Sequence, residues 1–368
     1  MNLNYFYSTR IITGKNCVLN NYSHFRALGR RCLIVTGQSS AKKSGALKDV
    51  QSVLNSFNIS YDIYDKVSQN PSIATCINGG KIAHAIEADF IIGIGGGSPL
   101  DASKAIAVFA ANPDLTEEEL YSVHWTNKPL PIVTIGTTAG TGSEVTSVSV
   151  ITNSKGLKKS FKDDSIFPSL GLGDPTYTMS LSDEFTSSTA LDALAHCIES
   201  YFNRTANDIS MTFSIKGVKT LLKGLIALKE EGASNLSFED RELLYNGSIY
   251  GGLAINATGT AFPHSLGYFL TELYGVSHGT ACATFLPFFI EHNARQVPEL
   301  SDSFFQEVGI KKEELIALIS SLTPRFSLKL TDSEKKTLSP RWINNKNLIK
   351  SWGEIDSDFV YNLLTEMF

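Results

Sequence analysis

Short runs of branched apolar residues alternate with stretches of helical periodicity through the first half of the chain. Cys32–Thr36 (CLIVT), Phe90–Ile94 (FIIGI) and Pro131–Ile135 are apolar without alternation and predict buried strands; Ser60–Tyr64 predicts another. Between them, Gly45–Phe57, Ser72–Ala88 and Pro99–Ala111 carry helical spacing. Continuous apolar strands separated by helices indicate a parallel sheet covered on both faces. Tyr5–Ile12 predicts an edge strand or hairpin. After about residue 180 the strand signals fade, and helices are expected over Ser187–Tyr201, Ile209–Leu228, Glu239–Ile255, Ala281–His292 and Lys311–Ser321. The reading divides the chain near Asp174-Pro175, into an α/β unit over 1–175 and a helical unit over 176–368. Thr331–Trp352 is polar and irregular, and a mostly loop connection is expected before a final short helix.

The length of 368 residues favours two units, because single cores stop growing near roughly 250–300 residues. Thirty-two basic against 37 acidic residues leave a net charge of −5, which supplies no electrostatic attraction for nucleic acid or an anionic membrane. Cys17, Cys32, Cys76, Cys197 and Cys282 are scattered without a C-x-x-C, which suits a reducing cytoplasm rather than a disulfide framework. The start, MNLNYFYSTRIITG, lacks the pattern of a signal peptide, and no apolar run reaches the ~18 residues of a membrane span. A cytoplasmic location is therefore expected.

The most informative side chains are Asp192, His196, His264 and His278. Asp192 and His196 are four positions apart in LDALAHCIESY, so a helix puts them on one face. His264 (AFPHSLGY) and His278 (GVSHGTA) are read beside glycine-containing turns. One oxygen and three nitrogens make a ligand set for Fe, Zn, Co or Ni. Each of the four taken alone also fits an ordinary hydrogen-bonded polar residue. His24, His84 and His124 lie outside this region, His292 falls in what reads as a polar surface stretch, and Cys197 reads as packing.

Three loops rich in glycine and hydroxyls follow strands. Gly95-Gly96-Gly97-Ser98 precedes a helix opened by Pro99; its glycines would admit a pyrophosphate and its free N–H groups receive it, and taken alone it also fits a plain tight strand–helix turn. It departs from the G-x-G-x-x-G fingerprint by Ser98, and no obvious ribose-binding acid follows the next strand. Gly37-Gln38-Ser39-Ser40, with Lys42 and Lys43 beyond, carries no acid; hydroxyls and ammonium groups accept a 2′-phosphate, which favours NADP(H) over NAD(H). The same loop also reads as a capped helix start. The third loop is Thr137–Glu144.

With these segments in hand, the sequence resembles the iron-containing (group III) alcohol dehydrogenase family. STRIITG, IIGIGGGSPLDASKAIA, TTAGTGSEVTSVSVIT, LDALAHCIESY, HSLGYFL and HGTACATFLPFFIEHN carry the resemblance over most of the chain. It implies a dinucleotide-binding α/β domain with a parallel sheet, an all-α C-terminal domain, and a cleft between them: a dehydroquinate synthase-like architecture. It implies a metal held by Asp192, His196, His264 and His278, with Fe(II) the usual ion and Zn or Ni possible in purified protein. It implies that Gly95, Gly96, Gly97 and Ser98 bind the pyrophosphate with Asp101 nearby. Thr137, Thr138, Thr141, Ser143 and Val145 would line the ribose and nicotinamide side. Lys159 would reach a ribose, and Thr178 and Leu181 would close over the adenosine. A homodimer is implied, with Tyr5–Ile12 a candidate pairing edge.

Two departures stand out. Tyr268 stands where many members carry a second histidine, and Gly37 where NAD-preferring members carry Asp. The region after Asn293 also looks short. The implied reaction is hydride transfer between nicotinamide and a short primary alcohol or aldehyde, including charged aldehydes such as sulfo- or phosphonoacetaldehyde. The metal would polarise the carbonyl, with Tyr268 or a water returning the proton. The alternatives are a dehydroquinate-synthase-like or glycerol-dehydrogenase-like enzyme of the same fold, and a non-catalytic nucleotide-binding or metal-storage protein. Arg204, Arg241, Arg295, Arg325 and Arg341 are few for the phosphorylated acid that a synthase would take.

Overall fold

The protein is described here from a computed structural model covering residues 5–343 and 345–368. Among the described residues eight strands form: β1 (Arg10–Thr13), β2 (Arg31–Thr36), β3 (Ser60–Tyr64), β4 (Phe90–Gly95), β5 (Ile132–Gly136), β6 (Val148–Thr152), β7 (Lys158–Lys162) and β8 (Leu170–Gly173). Six make one parallel sheet in the order β1-β8-β5-β4-β2-β3. The helices of this half are α1 (Cys17–Asn20), α2 (Tyr22–Leu28), α3 (Ser40–Lys43), α4 (Ala46–Ser56), α5 (Ile73–Ala85), α6 (Gly97–Ala111) and α7 (Glu117–Ser122).

The apolar strands earn their burial on both faces. On one, Leu33, Val35, Ile91 and Ile132 pack against α5 and α6; on the other, Ile34, Ile92, Val133 and Leu172 pack against α4 and the α1–α2 segment. Parallel strands need such a cover, since both faces shed water. β2 and β4 are neighbours, while the chain leaves β2 for β3 on its far side. The C-terminal ends of β2 and β4 thus open at a topological switch point, the position where open α/β sheets bind ligands.

The second half is helical: α8 (Asp183–Tyr201), α9 (Asp208–Glu231), α10 (Phe238–Thr258), α11 (Phe262–Tyr274), α12 (His278–Gln296), α13 (Pro298–Val308), α14 (Lys312–Leu322), α15 (Asp332–Leu338) and α16 (Ser357–Met367). Its core gathers Leu191, Leu194, Ile198, Leu221, Phe262, Phe285 and Phe289. Starts are set by capping chemistry: Ser182, Asn207 and Ser237 each accept backbone N–H groups of the first turn they precede. Among the described residues, no helix is long and apolar enough to cross a membrane.

Several expectations are corrected. The edge strand is Arg10–Thr13, not Tyr5–Ile12; Tyr5 lies against the helical half, its hydroxyl donating to Leu253 O. α6 begins at Gly97 rather than Pro99, because Gly97 and Ser98, poorer helix formers, conceal its first turn. The antiparallel hairpin β6–β7 escapes the apolar-run criterion because β7 (KKSFK) is largely polar. Thr331–Trp352 is not mostly loop: it holds α15 and two 3-10 turns, with Thr331 forming a capping box with Glu334. His292 is buried, its ring in hydrogen-bond contact with Trp352 O at 2.6 Å.

Candidate metal and nucleotide site

α8 carries Asp192, His196 and Glu199 at i, i+4 and i+7, one stripe of a helix with 3.6 residues per turn. His264 and His278 each follow a glycine that ends the preceding helix, Gly259 and Gly275. His264 lies in the first turn of α11, behind Pro263, and His278 opens α12. α12 is drawn onto α8 at Ser188, whose Oγ lies 3.0 Å from Ser277 Oγ and accepts the N–H of Thr280. Gly279 permits the approach: a Cβ there would fall 1.8 Å from Ser188 O.

The four predicted ligands converge. His264 Nε2 is 2.9 Å from His196 Nε2 and 3.4 Å from Asp192 Oδ1, and His278 Nε2 is 3.8 Å from the same oxygen. Asp192 Oδ1 is buried and has no hydrogen-bond partner among the described residues. Burial alone would raise the Asp192 carboxyl, but the surrounding imidazoles outweigh it and hold it well below the ordinary carboxylate range. Burial pushes His278 down to about 3 and lowers His196 as well, so both keep free lone pairs at neutral pH. An ionised carboxylate and the neutral imidazoles of His196 and His278 face one point, with an orphaned buried oxygen among them. Burial would lower His264, but the Glu199 and Asp192 carboxylates hold it above its ordinary range, and it would give up its Nε2 proton to a divalent cation, which this donor set fits.

Two residues at this centre were missed. Glu199 accepts from His264 Nδ1 at 2.5 Å and from the Ala261 N–H at 2.6 Å, fixing the His264 tautomer with Nε2 turned inward. Its signal was its place on the Asp192–His196 stripe. Cys282, one turn beyond His278, has Sγ 3.8 Å from His278 Nδ1. With Asp192, His264 and His278 it offers ligand atoms that all lie within 4.8 Å of one another. Burial pushes its thiol up to about 11, so it is protonated at neutral pH.

The loops after β2, β4 and β5 lie side by side, since Thr36 pairs with Ile94 and Gly95 with Gly136. Gly95 takes φ +151°, and a Cβ there would strike Pro99. Gly96, Gly97, Ser98, Thr138 and Thr141 form a half-exposed rim, with Thr138 and Thr141 against Gly96 and Gly97. Gly37, Gln38, Ser39 and Ser40 continue it, and Leu181 is half-buried. Other predicted contacts are turned inward. Asp101 accepts from Ser143 Oγ at 2.6 Å and from the Val150 N–H at 2.9 Å. Lys104, fully buried, donates to Ser143 Oγ and Val148 O. Val145 is fully buried against Gly252, Thr137 is buried, and Thr178 donates its buried hydroxyl to Pro175 O. These residues brace the loops. Lys159 is a correction: its Nζ sits 4.4 Å over the Tyr121 ring, and strand alternation turns Lys158 the other way, 5.5 Å over the ring of Tyr268. Tyr268 in turn stacks on His278 with centroids 5.8 Å apart.

Comparison with known proteins identifies the family and the fold. The family described as "Iron-containing alcohol dehydrogenase" matches residues 8–175, and "Fe-containing alcohol dehydrogenase family, C-terminal" matches residues 186–326. Alcohol dehydrogenase 4 of Saccharomyces cerevisiae (strain ATCC 204508 / S288c) is 33% identical over 267 residues, covering 72% of this chain and 68% of its own. The 1,3-propanediol dehydrogenase of Citrobacter freundii is 30% identical over 81% of this chain and 75% of its own. The crystal structure of an iron-containing alcohol dehydrogenase from Thermotoga maritima superposes with a TM-score of 0.91 at 33% identity, covering 99% of both chains. That of a sulfoacetaldehyde reductase from Bifidobacterium kashiwanohense, in complex with NAD+, gives 0.87 at 28%, covering 100% of this chain and 99% of its own. The chain belongs to the iron-containing alcohol dehydrogenase family.

Proposed function

We propose that this protein interconverts a short primary alcohol and its aldehyde, using Fe(II) and NADP(H) in preference to NAD(H). The observation that carries the reading is the convergence of Asp192, His196, His264 and His278, with α8 packed at Thr189 against Gly140 of the loop after β5. When bound, the ion supplies Lewis-acid polarisation of a carbonyl oxygen, and the reduced nicotinamide supplies hydride. Asp192 and the three histidines hold the ion; Zn or Ni would suit the same donors in purified protein. Gly95, Gly96, Gly97 and Ser98 receive the pyrophosphate, braced by Asp101, Ser143 and Lys104 from beneath. Tyr268 stacks on His278, and burial pushes its hydroxyl up to about 12, so at neutral pH it keeps a proton to give to the oxygen of the product. A water is the other donor.

Short charged aldehydes belong to the substrate class considered, in keeping with the sulfoacetaldehyde reductase among similar structures. We place the boundary between the nucleotide-binding and metal-binding units at 175/176, and expect a cytoplasmic homodimer. The test is a panel of short aldehydes, charged and neutral, assayed with NADPH and with NADH before and after chelation. Stoichiometric, metal-dependent consumption of NADPH is expected. A lyase that regenerates its cofactor would consume none, and bound nucleotide without turnover on any aldehyde would leave a binding protein.

A further inference from the structure

The loop Gly37–Ser40 has a neighbour that sequence order conceals. β3 runs beside β2, and the chain leaving it passes directly against the loop: the Val67 N–H donates to Thr36 O at 3.3 Å, and a Cβ on Gly37 would lie 3.3 Å from Val67 O. In that segment Asp65 is flanked by two ammonium groups. Lys42 Nζ lies 3.3 Å from its Oδ2, and Lys66 Nζ 3.3 Å from its Oδ1. The three side chains are 31%, 54% and 70% exposed for Asp65, Lys42 and Lys66. Such pairs are weakly held and readily exchanged. The two lysines keep the Asp65 carboxyl below its ordinary range, so it is ionised throughout the neutral region.

We propose that Asp65 sets the choice between the two nicotinamide cofactors, its carboxylate occupying Lys42 and Lys66 and repelling an adenosine 2′-phosphate at Ser39–Ser40. This rests on the nucleotide reading above and adds to it a residue that works against NADP(H). NADH and NADPH differ at one position, the ribose 2′-oxygen. A 2′-phosphate arriving at the hydroxyls of Ser39 and Ser40 meets two cations that already have an anionic partner. It must share them with that partner, at a repulsive cost. A 2′-hydroxyl meets no such competition. The chain therefore accepts both cofactors, with a preference for NADPH smaller than its hydroxyls and lysines would give alone. With Asp65 neutralised, both ammonium groups become free for the phosphate and the like charge disappears.

The experiment titrates the full-length wild type, Asp65→Asn and Lys42→Ala with NADPH, NADH and 2′,5′-ADP, by calorimetry. The last ligand carries the 2′-phosphate without a nicotinamide, so the readout needs neither turnover nor metal. Asp65→Asn is expected to raise the NADPH-to-NADH affinity ratio about fivefold and to tighten 2′,5′-ADP alike, the scale of one exposed charge pair. Lys42→Ala is expected to lower that ratio by about the same factor. A ratio that stays constant or falls in Asp65→Asn overturns the assignment; a selective loss of NADH would show that Asp65 grips the ribose hydroxyls instead. Binding with an unchanged ratio sinks only the role of Asp65, whereas a wild type that binds none of the three ligands sinks the nucleotide reading itself.

Discussion

His264 Nδ1 and Glu199 Oε1 stand 2.5 Å apart, both buried, while the other Glu199 oxygen accepts the Ala261 N–H that opens α11. A glutamine at 199 can accept only one of these two hydrogens and turns an amide N–H toward the other. Glu199→Gln is therefore expected to loosen the metal by about 10–100-fold, as loss of a ligand-orienting partner does. Metal retained after dialysis against a graded chelator measures it, and unchanged retention would remove Glu199 from the centre.

His264→Ala takes one nitrogen from the cluster without touching the sheet. Activity is expected to vanish while NADPH binds as in the wild type. Metal analysis together with nucleotide titration separates the two effects; normal turnover by a chelator-treated variant would refute the metal role.

Gly279→Ala probes the seam that sets His278. The added methyl would fall 1.8 Å from Ser188 O and 3.0 Å from Asp192 Cβ, and backbone cannot yield as a flexible side chain does. Overpacking of this kind costs about 1–3 kcal/mol. A lower melting temperature and weaker metal retention are expected together; a variant that melts and binds as the wild type would show that α12 sits less firmly on α8.

Lys104 predicts a pH dependence. Burial pushes its ammonium from the ordinary 10.5 down to about 8. Between those values the unfolded chain binds the extra proton and the folded chain does not, so the unfolding free energy rises with pH in that window. Below pH 8 the same group imposes a constant penalty. Lys104→Met should flatten this rise, by up to about 1.4 kcal/mol per pH unit. Denaturant midpoints from pH 7.5 to about 10.5 test the slope, and parallel curves would show that Lys104 does not titrate there.

Tyr268→Phe keeps the ring on His278 and removes only the hydroxyl. If that oxygen returns the proton, kcat for aldehyde reduction falls by about 100-fold or more while metal content stays unchanged. An undiminished kcat assigns the proton to water.

Much of this architecture can be read from the residues. Runs such as FIIGI are legible because they are short, β-branched and followed by glycines, which separates a strand buried on both faces from a buried helix, and the Asp192–His196 spacing puts both side chains on one helical face. What escapes is whatever depends on register or on distant packing. Lys158 and Lys159 are chemically alike, and only the pairing of β7 with β6 decides which one turns toward Tyr268. Val145 lies in a loop of the right composition and Asp101 in the second turn of α6, yet packing against Gly252 and a hydrogen bond from Ser143 draw them inside. Glu199 stood in plain view on the stripe of α8, but a carboxylate there reads as surface until α11 closes over it.

The cation donors all hang from α8, α11 and α12, and the nucleotide rim is built on the loops and first helical turns that follow β2, β4 and β5 of the sheet. The two reagents of the chemistry are thus carried by different scaffolds. Exchanging one metal for another, or one coenzyme for another, is a local edit on its own scaffold, and a lineage can revise either without reopening the other.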